Sequence, residues 1–397
     1  MGIGPVPNLE PPVSETSSIV TNIDLSSILV ALPTVVGSTV MMAIGGVLIY
    51  LAIAKEYEPV LLLPIGFGCI LGNLPGSPMN QPGGLLKILY DAGISTELFP
   101  LLIFVGVGAM MDFRPLLAQP LFVLMGAAGQ FGIFGTLLLA TLLGFPLNEA
   151  ASIGVIGAID GPTSIYVATR IAPELLAPIA VCAYSYMSLV PIIQPPIMRL
   201  MTTKAERRIR MEYQPKPVSR RAIILFPIVV TIIAGVLVPA SAPLIATLML
   251  GNLLKESGVV DRLSKASQNE IANVATLFLG LTIGSTMQAA SFINVKTLAI
   301  LALGLVAFGL DTMGGILFAR LLGLITRGKI NPLIGAAGIS AFPMSGRLVQ
   351  KVAHEEDFDN FLLMHAMGAN TSGQIGSVIA GGVLLALVEP IVRVVAR

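Results

Sequence analysis

Tryptophan is absent from the 397 residues, only two cysteines and two histidines occur, and charged side chains make up 11% of the chain. Each shortage removes a class of function. A soluble domain of this length needs a surface several times richer in charge. Two histidines are too few for a zinc site of ordinary spacing. Cys69 and Cys182 both sit in apolar runs, where a cysteine is a small buried side chain rather than a disulfide or metal ligand. The net charge of +1 sets up no field toward nucleic acid or an acidic partner. A phosphate-cradling glycine loop, a dinucleotide-binding glycine pattern and a nucleophilic triad are all missing. The N-terminal 1–27 stretch is rich in proline and serine and has no basic leader, so it reads as a disordered or interfacial lead-in rather than a signal peptide.

What is present is apolar: 55% hydrophobic residues and a mean hydropathy of +0.88. Uncharged stretches long enough to cross a bilayer, about 20 residues each, recur at Leu25–Ala54, Pro59–Leu86, Leu116–Asn148, Leu175–Met198 and Ala222–Leu254. The expected fold is all-α and polytopic. Basic residues cluster between Arg199 and Arg221, which the positive-inside rule places on the cytoplasmic side. This segment splits the chain into an N-terminal hairpin plus first repeat (28–201), a basic cytoplasmic loop (202–220) and a second repeat (221–397).

The repeats rest on three ordered pairs of segments. Gly154, Gly157, Pro162 and Ser164 return as Gly335, Gly338, Pro343 and Ser345, each 181 residues later (154 to 335). LLIFVGVGAMMD (101–112) is similar to LFLGLTIGSTMQ (277–288), and AYSYMSLVPIIQPP (183–196) lies where MHAMGANTSGQIGS (364–377) lies in the second half. Glycine, proline, serine and threonine inside apolar segments predict broken transmembrane helices, tolerated in lipid only where they are buried or line a cavity. Broken helices in two corresponding places point to a transporter's substrate site.

Asp160 stands in SIGVIGAIDGPTSIYVA with no charge within a turn on either side. A carboxylate at the centre of a bilayer costs roughly 2.5–3.5 kcal/mol, so such residues mark ion pathways. The Gly-Pro after it frees backbone carbonyls, and Thr163 and Ser164 add hydroxyls. Together they form an all-oxygen environment suited to a hard cation. The competing reading is a side chain that caps the following half-helix. Asn370, beside Thr371, Ser372 and Gln374, offers an amide oxygen or else glues helices together. Tyr184 and Tyr186, with Ser185 and Ser188, put hydroxyls into the apolar run after Asp160. Asn331, Ser340 and Arg347 flank the second break, where Arg347 either neutralises an anionic substrate or snorkels. Asp112 and Glu149 read as interfacial, Asp311 as embedded, and the acidic run from His354 to Asp359 as a solvated loop.

The segments LFPLLIFVGVGAMMDFRPLLAQP, GAIDGPTSIY, AYSYMSLVPIIQPPIM, NPLIGAAGISAFPMSGR and HAMGANTSGQIGS resemble those of the β subunits of sodium-pumping, biotin-dependent decarboxylases, from about Ile28 to the C-terminus. That resemblance implies a subunit of the inner membrane of a prokaryote that decarboxylates carboxybiotin, exports Na⁺ and consumes a proton. Its partners would be an α-type subunit bearing the biotin carrier and the carboxyltransferase, and a small γ-type membrane subunit, in an oligomeric complex within the lipid bilayer. It also implies a core domain moving against a scaffold, in the manner of an elevator. By the same resemblance the family's functional residues fall on Asp160, Tyr186, Asn331, Gly335, Ser340 and Arg347, and its sodium-ligating asparagine on Asn370. On this footing Asp160, Tyr186, Ser340 and Arg347 are expected to be catalytic, Tyr186 and Ser340 relaying ion or proton occupancy and Arg347 binding carboxybiotin, and Asp160, Asn331 and Asn370 to ligate Na⁺. A secondary transporter that moves Na⁺ with an organic anion is the alternative; a structural scaffold gains nothing from Asp160.

Overall fold

In lipid every backbone N–H and C=O must find a partner within its own segment, which leaves the long apolar runs little choice but helix. The computed structural model describes residues 25–212 and 217–395, and all regular structure among them is helical. The lead-in before residue 25 and Lys216 of the basic segment lie outside the described residues, as does the side chain of Ser188.

In chain order the elements that matter here are α1 (Leu25–Ala54), α2 (Pro59–Gly72), α3 (Leu98–Met110), α4 (Val123–Ala128), α5 (Phe131–Leu142), α6 (Leu147–Gly154), α7 (Gly161–Ile171) and α8 (Leu176–Met201). After the basic segment come α9 (Arg220–Leu237), α10 (Ala242–Ser257), α11 (Ala272–Thr286), α12 (Val295–Ile325), α13 (Met344–Glu356) and α14 (Leu363–Val395). Five described helical stretches are long and apolar enough to cross a membrane, and seven are if each of two bent pairs counts as one span. The protein is a multi-pass membrane protein. The run Ala222–Leu254 is two helices, because the turn at Pro239–Ser241 interrupts it.

Two groups of helices pack separately and then against each other. In one, α1 packs on α2, α2 on α11, α3 on α10 and on α11, and α9 on α10. Glycines permit the closest approaches: at Gly108 and Gly251 an added Cβ would overlap backbone of the facing helix, as it would at Gly68 and Gly284. The other group gathers α4 to α8 with α12, α13 and α14. Within it α8 bends by 65° near Met187. Pro191 sits inside α8 and has no N–H to return to the Met187 carbonyl, which accounts for the bend.

The breaks expected inside crossing helices lie instead at the tips of two re-entrant hairpins. In the first, α6 and the 3-10 turn Val155–Ala158 run in, the chain reverses at Ile159 and Asp160, and α7 runs back out. The Asn148 amide at the start of α6 donates to the Ile171 carbonyl at the end of α7 at 2.9 Å, so both arms open on one side. Each arm is about 16–20 Å long by helical rise, short of the ~30 Å hydrocarbon core. The second hairpin pairs the 3-10 segment Pro332–Gly338 with α13 around a break at 339–343 that contains a cis Phe342–Pro343 bond.

The second hairpin opens on the basic segment. Asn331 at its start donates to the carbonyls of Arg207 (3.1 Å) and Ile209 (2.8 Å), and Glu356 at its end pairs with Arg207 at 2.5 Å. The acidic run from His354 to Asp359 is therefore not a free solvated loop. Glu355 pairs with Arg199, and Asp357 and Asp359 pair with Arg210. The guanidiniums of Arg207 and Arg210 hold the Glu356 and Asp357 carboxyls below the ordinary carboxylate range, and Arg320 does the same to Glu206. The first hairpin opens near the start of α8 and the second near its end, so the two enter the protein from opposite faces.

Candidate functional site

The hairpin tips meet. The backbone N–H of Ser340 donates to the carbonyl of Ala158 at 3.2 Å, joining the second break to the first. Just beyond Ala158, Ile159 adopts the left-handed region at φ 52° and Asp160 is extended, so the backbone is unwound where the carboxylate emerges. Pro162 in the first turn of α7 preserves the break without cost, because that turn has no use for its N–H.

Asp160 is 5% exposed, and its Oδ2 accepts three hydrogen bonds: from Thr163 Oγ1 at 2.7 Å, Gln374 Nε2 at 2.7 Å and Ser377 Oγ at 3.0 Å. The side chain makes no well-aligned capping bond to the first-turn amides of α7, although the Thr163 N–H of that turn also faces it. All three donors are neutral, and among the described residues no cation pairs with it. Oδ1 carries none of these bonds. The ring of Tyr184, on α8, presses on Gly161 so closely that a Cβ there would overlap it.

One face of α14 serves both tips. Asn370 and Gln374 are a turn apart and Ser377 follows at the next turn, which stacks them along one line of the helix. The Asn370 amide donates to the Ile339 carbonyl at 2.6 Å, and its Oδ1 is buried with no hydrogen-bond partner among the described residues. Ser340 Oγ donates to the Gly373 carbonyl at 3.1 Å. Asp160, Ser340 and Asn370 are thus brought together. The cluster holds a carboxylate, an unused amide oxygen and unwound carbonyls, which suits a partly dehydrated monovalent cation. No group of three or more His, Cys, Asp or Glu side chains among the described residues offers a transition-metal site.

The other candidates lie elsewhere. The Tyr186 hydroxyl on α8 donates to the Leu301 carbonyl of α12. Asn331 is fully buried at the open end of the second hairpin; besides its two amide bonds there, its Oδ1 accepts the Leu333 N–H at 3.0 Å. Arg347 stands exposed in the first turns of α13, outside the ion pairs found among the described residues. Glu149 is buried and pairs with Lys296 at 2.5 Å. Asp112 lies at the end of α3, 3.5 Å from Arg114.

Ser377 and Gln194 went unnoticed in the sequence. Ser377 had a signal, the helical spacing from Asn370 through Gln374. Gln194 had little, being one polar residue among prolines. Its Nε2 donates to the Ala336 carbonyl at 2.8 Å and its Oε1 accepts from Ser345 at 2.9 Å, so α8 reaches the second hairpin as α14 reaches the first. The arms of each hairpin are also tied alike, Ser164 Oγ to the Val155 carbonyl at 3.4 Å and Ser345 Oγ to the Ala336 carbonyl at 3.0 Å.

A family described as the Na⁺-transporting oxaloacetate decarboxylase beta subunit matches residues 37–388. The methylmalonyl-CoA decarboxylase subunit beta of Veillonella parvula is 53% identical over 353 residues, 89% of this chain and 94% of the relative. The glutaconyl-CoA decarboxylase subunit beta of Acidaminococcus fermentans is 53% identical over 352 residues, 89% and 93% of the two chains. The oxaloacetate decarboxylase beta chain 2 of Salmonella typhimurium is 45% identical over 410 aligned residues, 88% and 94% of the two. With two buried breaks meeting beside an unpaired carboxylate, and with these relatives along nearly its whole length, the chain belongs to the family of β subunits of Na⁺-transporting decarboxylases.

Proposed function

We propose that this subunit decarboxylates carboxybiotin carried to it by an α-type partner and couples that reaction to Na⁺ export across the inner membrane of a prokaryote, with a γ-type subunit completing an oligomeric complex. The observation that carries the reading is Asp160: a buried carboxylate at the meeting point of two hairpin tips, bonded only to neutral donors. Na⁺ is the cargo, held by Asp160, Asn370 and break carbonyls, with Ser340 fixing the second tip against the first.

The other site roles follow from position. Arg347, exposed and free of ion pairs among the described residues, receives the carboxylate of carboxybiotin. Tyr186 acts between α8 and α12, joining movement of one to the other. Asn331, a candidate Na⁺ ligand in the sequence, has its amide bonds spent on the basic segment and supports anchoring of the second hairpin. Moving one charge against 100 mV takes about 2.3 kcal/mol, so export needs the decarboxylation to drive it.

The halves are inverted repeats in this reading. Matching serine bonds within each hairpin, and Gln374 and Gln194 reaching opposite hairpins, support it. The N-terminal hairpin belongs inside the first repeat, since α2 packs on α11 as α10 packs on α3. The helices α4–α8 and α12–α14 form a core that slides as an elevator along the panel of α1–α3 and α9–α11.

The test is ²²Na⁺ uptake into inverted vesicles containing the assembled complex, with candidate acids and acyl-CoA esters added in turn. Uptake that requires one of them and a biotinylated partner is the expected result. Na⁺ movement by the lone chain together with an organic anion would establish the secondary-transporter alternative instead.

A further inference from the structure

Asp311 lies midway along α12, fully buried, with no part in the Na⁺ cluster. Its Oδ1 accepts the backbone N–H of Gly132 in the first turn of α5. Its Oδ2 is buried and without a hydrogen-bond partner among the described residues. That oxygen faces the first hairpin just before the Asp160 break, where a Cβ placed on Gly157 would stand 3.1 Å from it.

The 181-residue spacing (154 to 335) gives Asp311 a counterpart in Gln130, just as it relates Gly157 to Gly338. Gln130 is also buried, and its Nε2 donates to the Gly126 carbonyl at 2.9 Å while lying 3.4 Å from the Gly338 carbonyl and 3.3 Å from that of Gly373. Related positions thus look onto related glycines, one in each hairpin. Glutamine brings a permanent donor to its hairpin. Aspartate has a donor only while it holds a proton.

No cationic side chain nearby offsets the charge of an ionised Asp311; only the backbone N–H groups of Gly132 and Ile133 at the start of α5 favour it. Among the elements packed on α12, the titratable groups are Glu149 of α6 and Cys182, Tyr184, Tyr186 and Arg199 of α8; α4, α5 and the two 3-10 segments carry none. Glu149 pairs with Lys296 and Arg199 with Glu355, while Tyr186 and Cys182 bond to Leu301 and Ile300. Tyr184 lies against Gly161. A Na⁺ ion would need a shell of oxygens, yet a Cβ at Gly157 would already meet Ala307 Cβ at 3.1 Å and Ile133 N at 3.2 Å. A proton needs no such room.

The geometry points to Asp311 as a proton-binding residue of the transport core, whose Oδ2–H ties α12 to the Asp160 hairpin. A proton drawn from water bonds to Oδ2, creating the donor that Gln130 has permanently; its return to water leaves a carboxylate with no donor toward the hairpin. The inference rests on the transport reading for its consequence, since the tie would then respond to the proton that decarboxylation consumes.

Infrared difference spectra of the whole complex in lipid, recorded between acid and alkaline buffers, test it. A titrating carboxylic C=O band is expected in the wild type, lost in Asp311→Asn and shifted in frequency in Asp311→Glu. Asp311→Asn should also lose one limb of the pH profile of decarboxylation, and Asp311→Glu should restore it. Retention of every titrating band and of the wild-type pH profile in Asp311→Asn would overturn the inference. If Asp311→Asn does not assemble, an unshifted band in Asp311→Glu would do the same. A wild type that shows the Asp311 band but whose decarboxylation ignores Na⁺ overturns the pump reading while upholding the proton site.

Discussion

Ser340 and Ala158, 182 positions apart in the chain (158 to 340), are joined by a single backbone hydrogen bond of 3.2 Å at the middle of the protein. Each lies at the tip of a hairpin entering from its own face. That contact joins the two tips and places the buried Asp160 beside it.

Asp160→Asn should leave the subunit inserted and the complex assembled, because amide and carboxylate have nearly the same shape. Losing the charge of a buried partner costs about 2–5 kcal/mol, at least about thirtyfold in Na⁺ affinity. Na⁺-dependent decarboxylation should fall to background in a direct rate assay. A variant with wild-type half-saturation by Na⁺ would remove Asp160 from the site.

Ser377→Ala deletes one of the three donors to Oδ2 and is expected to be mild. A hydrogen bond to a charged group is worth about 1.5–3 kcal/mol, so the Na⁺ half-saturation should shift by about tenfold. The sign is informative. If Na⁺ takes Oδ1 while Ser377 steadies Oδ2, affinity falls; if the donors compete with the ion, affinity rises.

Gly161→Ala should be severe although it adds a single methyl group. The new Cβ would overlap the Tyr184 ring, which has no room to retreat while fully buried. Overpacking of this kind costs about 1–3 kcal/mol. Lower thermal stability of the purified complex should accompany weakened Na⁺ activation, and Tyr184→Phe should not relieve it, because the ring and not the hydroxyl makes the clash.

Arg347→Gln should raise the KM for free or carrier-bound carboxybiotin and leave the Na⁺ half-saturation unchanged, since the exposed side chain takes no part in the hydrogen bonds to Asp160. Arg347→Lys should recover part of the loss, being a cation without the planar fork. Equal changes in both parameters would count against a substrate role.

Glu356→Gln should release the basic segment around Arg207, which is 6% exposed and also donates to the Thr202 carbonyl at 2.5 Å. Limited proteolysis within 199–212 reads this directly. Because the Glu356 and Asp357 carboxyls are held below their ordinary range, their pairs with Arg207 and Arg210 are intact above the ordinary carboxylate pKa and are lost as pH falls through the lowered values. Proteolysis of the wild type should therefore stay constant from neutrality to about pH 5 and rise only in stronger acid.

Much of the site was legible in the sequence because lipid makes polar residues conspicuous. Asp160 stood out by isolation, and Asn370 and Ser340 by their place in matching Gly-rich segments. Hairpins were not legible, since a broken crossing helix and a re-entrant one share composition; the bond from Asn148 to Ile171 decides between them. Asn331 flanks the second break in sequence, and only the structure places it at the open end of that hairpin. The acidic run after His354 looked solvated because its partners, Arg199, Arg207 and Arg210, are about 150 residues earlier in the chain.

By itself the sequence determined that this is a multi-pass helical protein with two interrupted segments and one carboxylate among them, because hydropathy and helix-breaking are local properties of the chain. Only the tertiary structure decided that the interruptions face each other, that one side of α14 supplies both, and that Asp311 and Gln130 watch opposite hairpins. Those relations join residues up to 243 positions apart, as Gln130 and Gly373 are. Such pairings depend on how helices pack, which no local pattern encodes.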